Sequence, residues 1–490
     1  MGDSGNGTAG MNWDNRTKIV ATLGPASNTD TKITELVVAG VDVFRINCAH
    51  MDHAKIAATV QRVRKISKKL DTAVGILADL QGPKIRVGRL VNAEPVYLRR
   101  GATITIDTTP GVVGEAKADG SIVIGTGYRR LAADMRVGER VLLDDGNLEL
   151  KVSEIDGDLI RARVVYGGML HQFKGINLPG SNVSADCLSS KDIDDLQCVI
   201  GNEVDFVALS FVRSAEDVLA LRKRVDKLGS DVQIIAKIER PEAVKNIQSI
   251  LDASDGIMVA RGDMGVEMGA EAVPQVQKRI IALAADARKP VITATQMLES
   301  MVLNPRPTRA EASDVANAIY DGTTAVMLSA ETASGKHPVR SVRVMEKIVR
   351  TAERAVYAEI SERRRRGAAI PMSVAHATVR AAAYAAYNSA ARLIVVYTET
   401  GTTARLLAGE RPPTHVLAFS PSVRTLQKLT LIWGITPKKV PPGRTSHELT
   451  LNGDRMLRKQ GFVKDGDRIV QIAGTVRQAG LTNTMTIREM

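Results

Sequence analysis

Aromatic residues make up only 3% of this 490-residue chain, which argues against a surface on which nucleic-acid bases stack. Its three cysteines, Cys48, Cys187 and Cys198, form no Cys-x-x-Cys pair and no metal-like cluster. That usage gives no disulfide framework and suits a reducing compartment. No apolar run approaches the ~18 residues of a membrane helix. The opening MGDSGNGTAGMN is polar and glycine-rich, unlike a secretory signal, and Asn6 stands where a myristoylation motif needs Ser or Thr. A cytoplasmic protein with no membrane partner is expected. Acidic charge is also short: 54 acidic residues face 66 basic ones, leaving a net charge of +12. Such a balance can serve nucleic acid, anionic lipid or small anionic substrates. The basic residues are scattered, however, and their one dense run, Arg363 to Arg366, follows a charged helix and reads as a solvated connector. No nucleic-acid partner is expected.

What is present is an ordinary globular composition, 44% hydrophobic and 24% charged, with length for about three domains. After a polar tail (1–15), strand-like and helix-like segments alternate. Strands are expected at Thr17–Leu23, Val41–Asn47, Val74–Leu80, Val204–Ser210, Gln233–Ile238, Gly256–Ala260, Pro290–Ala294 and Ala325–Ser329. Ser214 to Asp217 and Thr308 to Glu311 read as capping boxes for two of the helices. An open doubly wound sheet would alternate likewise, but a count of eight strand–helix units favours a (β/α)8 barrel. The alternation is interrupted between 82 and 182 by short strand-like runs, among them Ala102–Ile106, Ser121–Ile124, Arg140–Leu143 and Leu159–Val165. Asp-Asp-Gly and Asp-Gly-Asp between them are hairpin signals. This is read as an inserted all-β domain, placed at a strand end where it could act as a lid. The barrel would comprise 16–81 and 183–355. A small α/β domain (356–490) would follow, with an Ala-rich helix from Val374 and strands at Leu393–Tyr397, Val416–Phe419 and near Ile469 and Thr484.

The stretch from Ile234 to Glu267 is central. Strand alternation puts Lys237 and Glu239 on one face, and Pro241 suits a first helical turn. Asp263 follows the next strand. A lysine and two carboxylates thus meet at adjacent strand ends, where burial is costly unless they are paired or hold a metal. A structural salt bridge and a hard divalent cation on Glu239 and Asp263 are both open readings. Arg45, Asn47, Asp79, Ser210, Thr295, Ser329 and Glu331 fall at the other strand ends, the end where such barrels carry their chemistry. The set fits an anionic, phosphorylated substrate and phosphoryl transfer. A metal-dependent aldolase or lyase acting on pyruvate-type enolates would share the carboxylates but not the inserted domain. Further on, Thr398, Glu399, Thr400, Gly401, Thr402 and Thr403 lie between a strand and a helix start. They form either a simple N-cap loop or a cradle for phosphate.

Nine stretches in series carry a family resemblance: TKIVATLGP, FRINCAH, ADLQGPKIR, FKGINLPG, IIAKIE, SDGIMVARGDMG, ITATQMLESM, PTRAEASDVANA and MLSAET. They resemble pyruvate kinase over nearly the whole chain. The resemblance implies a glycolytic phosphotransferase that moves the phosphoryl group of phosphoenolpyruvate to ADP, giving pyruvate and ATP. It implies Mg2+ or Mn2+ on Glu239 and Asp263, and Lys237 on the transferred group. Arg45 and Ser210 would hold the substrate phosphate, while the amides of Gly262 and Asp263 with the Thr295 hydroxyl would hold its carboxylate. Thr295 with Ser329 would lie on the proton route. Thr22, Pro25, Asn47, His50, Arg86 and Lys174 would face the nucleotide. A homotetramer regulated by a phosphorylated effector at Thr398–Thr403 is also implied.

The sequence departs from the commonest family pattern where many members bind K+. Ala49 replaces a serine, and Leu80, Gln81 and Lys84 replace Thr, Lys and Glu. Lys84, with Asn47 and Asp79 nearby, would substitute for potassium, as in the branch of the family that this pattern resembles. Alternatively, Lys84 points to solvent from the hinge of the inserted domain.

Overall fold

The computed structural model describes residues 15–181, 183–184, 186–365, 373–443, 445–474 and 482–490. Eight short, almost wholly apolar strands form a closed parallel barrel: β1 (Lys18–Thr22), β2 (Val43–Asn47), β3 (Gly75–Asp79), β4 (Phe206–Leu209), β5 (Gln233–Ile238), β6 (Gly256–Ala260), β7 (Val291–Ala294) and β8 (Ala325–Leu328). Each pairs with its neighbours in sequence, and β1 closes on β8 with Lys18 opposite Ala325. Runs such as Gly256–Ala260 are buried along their full length because a barrel strand packs inward on the lumen and outward on helices. Phe206, Met258, Ile292 and Met327 fill the lumen, joined by Leu431 from the C-terminal part of the chain. Between strands and helices lies the larger apolar layer, with Ile56, Val218, Ile280, Val315 and Val342 on the helical side.

Helix starts follow the sequence signals with one exception. Thr29 caps Asp30–Val38, Thr308 and Glu311 close a full capping box on Arg309–Asp321, and Pro241 opens Pro241–Lys245. Ser214, expected to cap Ala215–Lys227, makes no such bond; Asp217 instead accepts the Arg213 amide. The expected connector at Arg363 is also corrected. Helix Pro338–Arg365 continues through it, and Arg366 lies outside the described residues, as does the tail through Asp14.

Between β3 and the helix Ser190–Gly201 the chain builds a seven-stranded sheet and a two-stranded one over their own apolar core. Asp144, Asp145 and Gly146, all at positive φ, turn Arg140–Leu143 into Leu148–Asp156, and Gly157 turns the latter into Leu159–Tyr166. The strand Leu148–Asp156 was not among those expected. The C-terminal unit is a five-stranded sheet in the order Ile435–Lys439, His415–Ser420, Leu393–Tyr397, Arg468–Gly474 and Thr482–Glu489, parallel but for the last pair. Ile435–Lys439 was likewise missed. This unit meets the barrel at its amino-terminal floor, where Leu431 enters the lumen and the Thr430 hydroxyl lies so close to Gly75 that no Cβ would fit. The carboxyl-terminal mouth is left to the inserted domain. No described helix is long and apolar enough to cross a membrane.

Candidate active site

Lys237 near the end of β5 and Glu239 just beyond it meet on one face, in keeping with strand alternation, with Nζ 3.0 Å from Oε1. Lys237 Nζ also donates to Ser210 Oγ at 2.8 Å and lies 3.4 Å from Asp79 Oδ1. Ser210 in turn donates to the Leu80 carbonyl at 2.7 Å. Asp79 is held from its other side by Arg45, whose Nε and Nη2 reach Oδ2 at 2.8 and 2.7 Å. Arg45 Nη1 donates to Thr22 Oγ1 at 3.2 Å, and the Thr22 hydroxyl donates to the Leu328 carbonyl at 2.9 Å. Strands β5, β3 and β2 are thereby tied at one mouth by a chain of alternating charge, which neutral hydrogen bonds through Ser210 and Thr22 extend to the ends of β4, β1 and β8.

These charges are almost entirely out of water. Burial works to lower the Lys237 ammonium, yet Asp79 and Glu239 beside it outweigh burial and hold it above the usual lysine range. Burial would raise Asp79, but Lys237 and Arg45 keep its carboxyl below the usual range. Glu239 goes the other way. Burial pushes it up and Asp263 adds to this, while Lys237 and the Phe211 amide, 2.7 Å from Oε2, oppose without prevailing. Its Oε1 is buried with no hydrogen-bond partner, although the Lys237 charge is close. A buried carboxylate whose charge is opposed by burial and by a second carboxylate, Asp263, suits a hard cation. No group of three or more His, Cys, Asp or Glu that could hold a metal occurs among the described residues. Glu239 and Asp263 could therefore bind Mg2+ only with substrate or water oxygens completing the shell, which is the usual habit of that ion.

Asp263 sits in the first turn of helix Arg261–Met268, which starts directly at the end of β6. The Gly262 amide in that turn donates to Thr295 Oγ1 at 2.7 Å, and Thr295 donates to the Ala294 carbonyl at 2.6 Å. Thr295 and Gln296 both have positive φ, at 67° and 53°, a costly conformation for a β-branched threonine. Sequence reasoning missed the residue that holds this turn. Arg261 donates to the carbonyls of Thr295 at 2.7 Å and Gln296 at 3.2 Å, and pairs with Asp314 at 2.6 Å. Its place at the strand-to-helix junction was the only signal. Ser329 caps the short helix Ala330–Ala333 with its buried Oγ unpartnered, and buried Glu331 accepts from the Ser329 and Leu298 amides.

The residues expected to face a nucleotide are more dispersed. Asn47 turns back on the Ala49 amide, while His50 and Pro25 are exposed. Thr22 is buried, with its hydroxyl already committed. Arg86 and Lys174 lie on the inserted domain, bound to the Phe173 carbonyl at 3.0 Å and to Asp144 at 2.7 Å. Lys84 is not joined to Asn47 or Asp79 by any ion pair or hydrogen bond. Its ammonium lies 3.8 Å from Asp145 Oδ1 and lines a cleft between barrel and insertion. A hydrogen bond of 3.0 Å from Asn177 to Glu267 also spans these two parts. At the other end of the molecule, Gly401 caps helix Thr402–Gly409 with no side-chain bond. Thr398 Oγ1 accepts the Gly401 amide at 2.9 Å, Thr400 and Thr402 share a bond of 3.0 Å, and Thr403 bonds Thr482.

Comparisons with known proteins agree on one family. A family model described as "Pyruvate kinase, barrel domain" matches residues 14–342, and one described as "Pyruvate kinase, alpha/beta domain" matches 376–488. The chain is 46% identical over 465 residues to a pyruvate kinase of Mycobacterium intracellulare, covering 94% of this chain and 95% of that one. It is 43% identical over 479 residues to pyruvate kinase 2 of a Synechocystis species, covering 96% of this chain and 79% of the relative. A crystal structure of a pyruvate kinase from Cryptosporidium parvum superposes with a TM-score of 0.90 at 34% identity, covering 97% and 96% of the two chains.

Proposed function

The chain belongs to the pyruvate kinase family, and from that premise we propose that Lys237, Glu239 and Asp263 are the chemical centre of phosphoryl transfer from phosphoenolpyruvate to ADP. The observation that carries this reading is the ammonium of Lys237, buried and kept charged by Asp79 and Glu239. A fixed cation in a dry site stabilises charge spread over equatorial phosphoryl oxygens without reorganising. Glu239 and Asp263 would hold Mg2+ or Mn2+, and when bound the metal supplies further neutralisation of phosphoryl oxygens. Arg45 and Ser210, already aimed by Asp79 and Lys237, would take the substrate phosphate. A substrate carboxylate would take over the Gly262 amide once the Thr295 hydroxyl turns from it. That turned hydroxyl, with Ser329 Oγ as the unpaired neighbour, would lie on the path that delivers a proton to the enolate carbon. Lys174 and Arg86 would reach the nucleotide as the inserted domain closes.

The test is a coupled assay for ATP from ADP and phosphoenolpyruvate, with and without divalent metal. Lys237→Ala should lower kcat by orders of magnitude with KM little changed, since its charge acts mainly in the transition state. Near-normal turnover in that variant would remove the central assignment. Two further elements belong to the same reading. Thr398, Thr400, Gly401, Thr402 and Thr403 would receive a phosphorylated effector. Lys84 would replace K+ when closure brings it toward Asp79 and Asn47. Cytoplasmic, homotetrameric assembly is proposed from the family alone.

A further inference from the structure

A second group of cations lies far from the barrel mouth, where the C-terminal unit meets the barrel floor. A cleft of about 410 Å³ of empty space, counting its open entrance, is lined by Arg288, Lys289, Arg405, Arg411 and Trp433 among others, with no carboxylate among its lining residues. Arg288 and Lys289 come from the approach to β7, and Arg405 and Arg411 from helix Thr402–Gly409 and the turn after it. Gathering like charge in a partly dry cleft is unfavourable unless something neutralises it.

The carboxylates around the cleft are committed elsewhere. Asp255, which acts electrostatically on Arg405, is paired with Arg222, and Glu410 is paired with His376 and Arg380. Arg405 makes one hydrogen bond among the described residues, Nη2 to Gln233 Oε1 at 3.0 Å, leaving most of its five N–H donors unused. Burial pushes its guanidinium below the usual range, the direction expected of a charge without a counterion. Among the described residues the Arg288 side chain bonds only His376, and it packs against Gly409, where a Cβ would meet its Cδ at 3.2 Å. Arg411 stacks 4.7 Å over Trp433 while donating to the Gly322 carbonyl. Lys289 is tied to the carbonyls of Leu251, Asp252 and Ser254, so it supplies charge rather than donors.

We propose that this cleft binds a phosphate-like oxyanion, either free or as the phosphate group of a small metabolite. Two guanidinium forks with spare donors suit tetrahedral oxyanions. Bound there, the anion would link helix Thr402–Gly409 to the floor of β5, whose other end carries Lys237 and Glu239. The inference does not depend on the phosphoryl-transfer reading.

Trp433 provides a local probe, because the chain has only one other tryptophan, Trp13. In a Trp13→Phe background of the full chain, inorganic phosphate should change Trp433 emission saturably. Arg405→Gln and, separately, the exposed Arg288→Gln should each raise the midpoint at least tenfold. If the sugar phosphate of a parallel titration saturates at lower concentration than inorganic phosphate, the ligand is esterified; the reverse order assigns free phosphate. Crystals soaked in selenate should show an anomalous peak between Arg405 and Arg288, absent from Arg405→Gln. The proposal is overturned by emission unmoved by either anion, by a midpoint indifferent to both substitutions, or by selenate found only at other sites.

Discussion

Arg261 illustrates how one side chain can matter without touching a reactant. Its guanidinium holds the Thr295 and Gln296 carbonyls, and so a turn of two positive-φ residues that would otherwise relax toward extended backbone. Arg261→Met should lower kcat by about ten- to a hundredfold with a smaller change in KM, because a misplaced group near the chemistry costs about that much. Arg261→Lys, which keeps the charge but loses the fork, should recover little of it. Equal activity of the lysine variant and the parent would show that geometry at Thr295 does not depend on this fork. Glu239→Ala acts differently at the same scale. It removes the acidic partner of Lys237 and one of the two carboxylates proposed to hold the metal, so the Mg2+ needed for half-maximal rate should rise strongly. A metal-titration curve unchanged by the substitution would separate Glu239 from the cation.

Among the elements, two helix starts invite contrasting experiments. Helix Arg309–Asp321 has a complete capping box, with Thr308 and Glu311 each bonding the other's amide. Thr308→Ala should cost about 1 kcal/mol of stability, read as a lower midpoint in denaturant with an unchanged slope. Helix Thr402–Gly409 has no side-chain cap among the described residues, which suits its first amides to meet a phosphate. Replacing Thr402 and Thr403 by Glu should abolish any lowering of the phosphoenolpyruvate KM by a sugar phosphate or nucleoside monophosphate. A panel of such compounds that leaves the parent's saturation curve unmoved would refute regulation through this loop.

For the whole molecule, the division of labour between barrel ends governs two outcomes. At the mouth, the Lys84 ammonium lies 3.8 Å from Asp145 Oδ1, so the replacement of a monovalent cation proposed above would require the inserted domain to close. Full activity is expected with Mg2+ when tetramethylammonium is the sole monovalent cation. Lys84→Glu should be poorly active and partly rescued by KCl. Large activation of the parent by KCl at constant ionic strength would exclude the substitution. At the C-terminal unit, His415 is buried at the start of its strand, and burial with the nearby Arg16 and Lys18 charges pushes its pKa down to about 3. Between that value and the ordinary ~6.5, the unfolded chain takes up a proton that the folded one refuses. Stability from this group is therefore complete above about pH 6.5 and is lost as pH falls, by roughly 2 kcal/mol at pH 5. His415→Gln should flatten that part of the stability profile. Comparison with the parent isolates it from Asp205, whose carboxyl is pushed up to about 6 and acts in the opposite sense.

Periodicity and composition alone determined the eight barrel strands and their order, because strands buried on both faces leave apolar runs that few other structures need. Strand alternation likewise placed Lys237 and Glu239 on one side, and the Asp-Gly turns marked the inserted domain. Two of the strands that escaped did so for definable reasons. In Leu148–Asp156 the pairing slips near Ser153, where Val152 faces Ala162 and Glu154 faces Arg161, so the alternation breaks. Ile435–Lys439 carries Pro437, which only an edge strand tolerates, and edge position is a property of the sheet, not of the segment. Side-chain partners across the barrel belonged wholly to the tertiary structure: Arg45 clasped by Asp79, Gly262 closed by Thr295, Lys84 drawn to Asp145 rather than Asp79. So did the cationic cleft on the floor, which brings Arg288 against Arg405 and Arg411 from a distant part of the chain. A local pattern records which face of an element is wet or dry. It cannot record which distant charge will stand opposite, since that depends on how the closed barrel, the insertion and the C-terminal sheet meet.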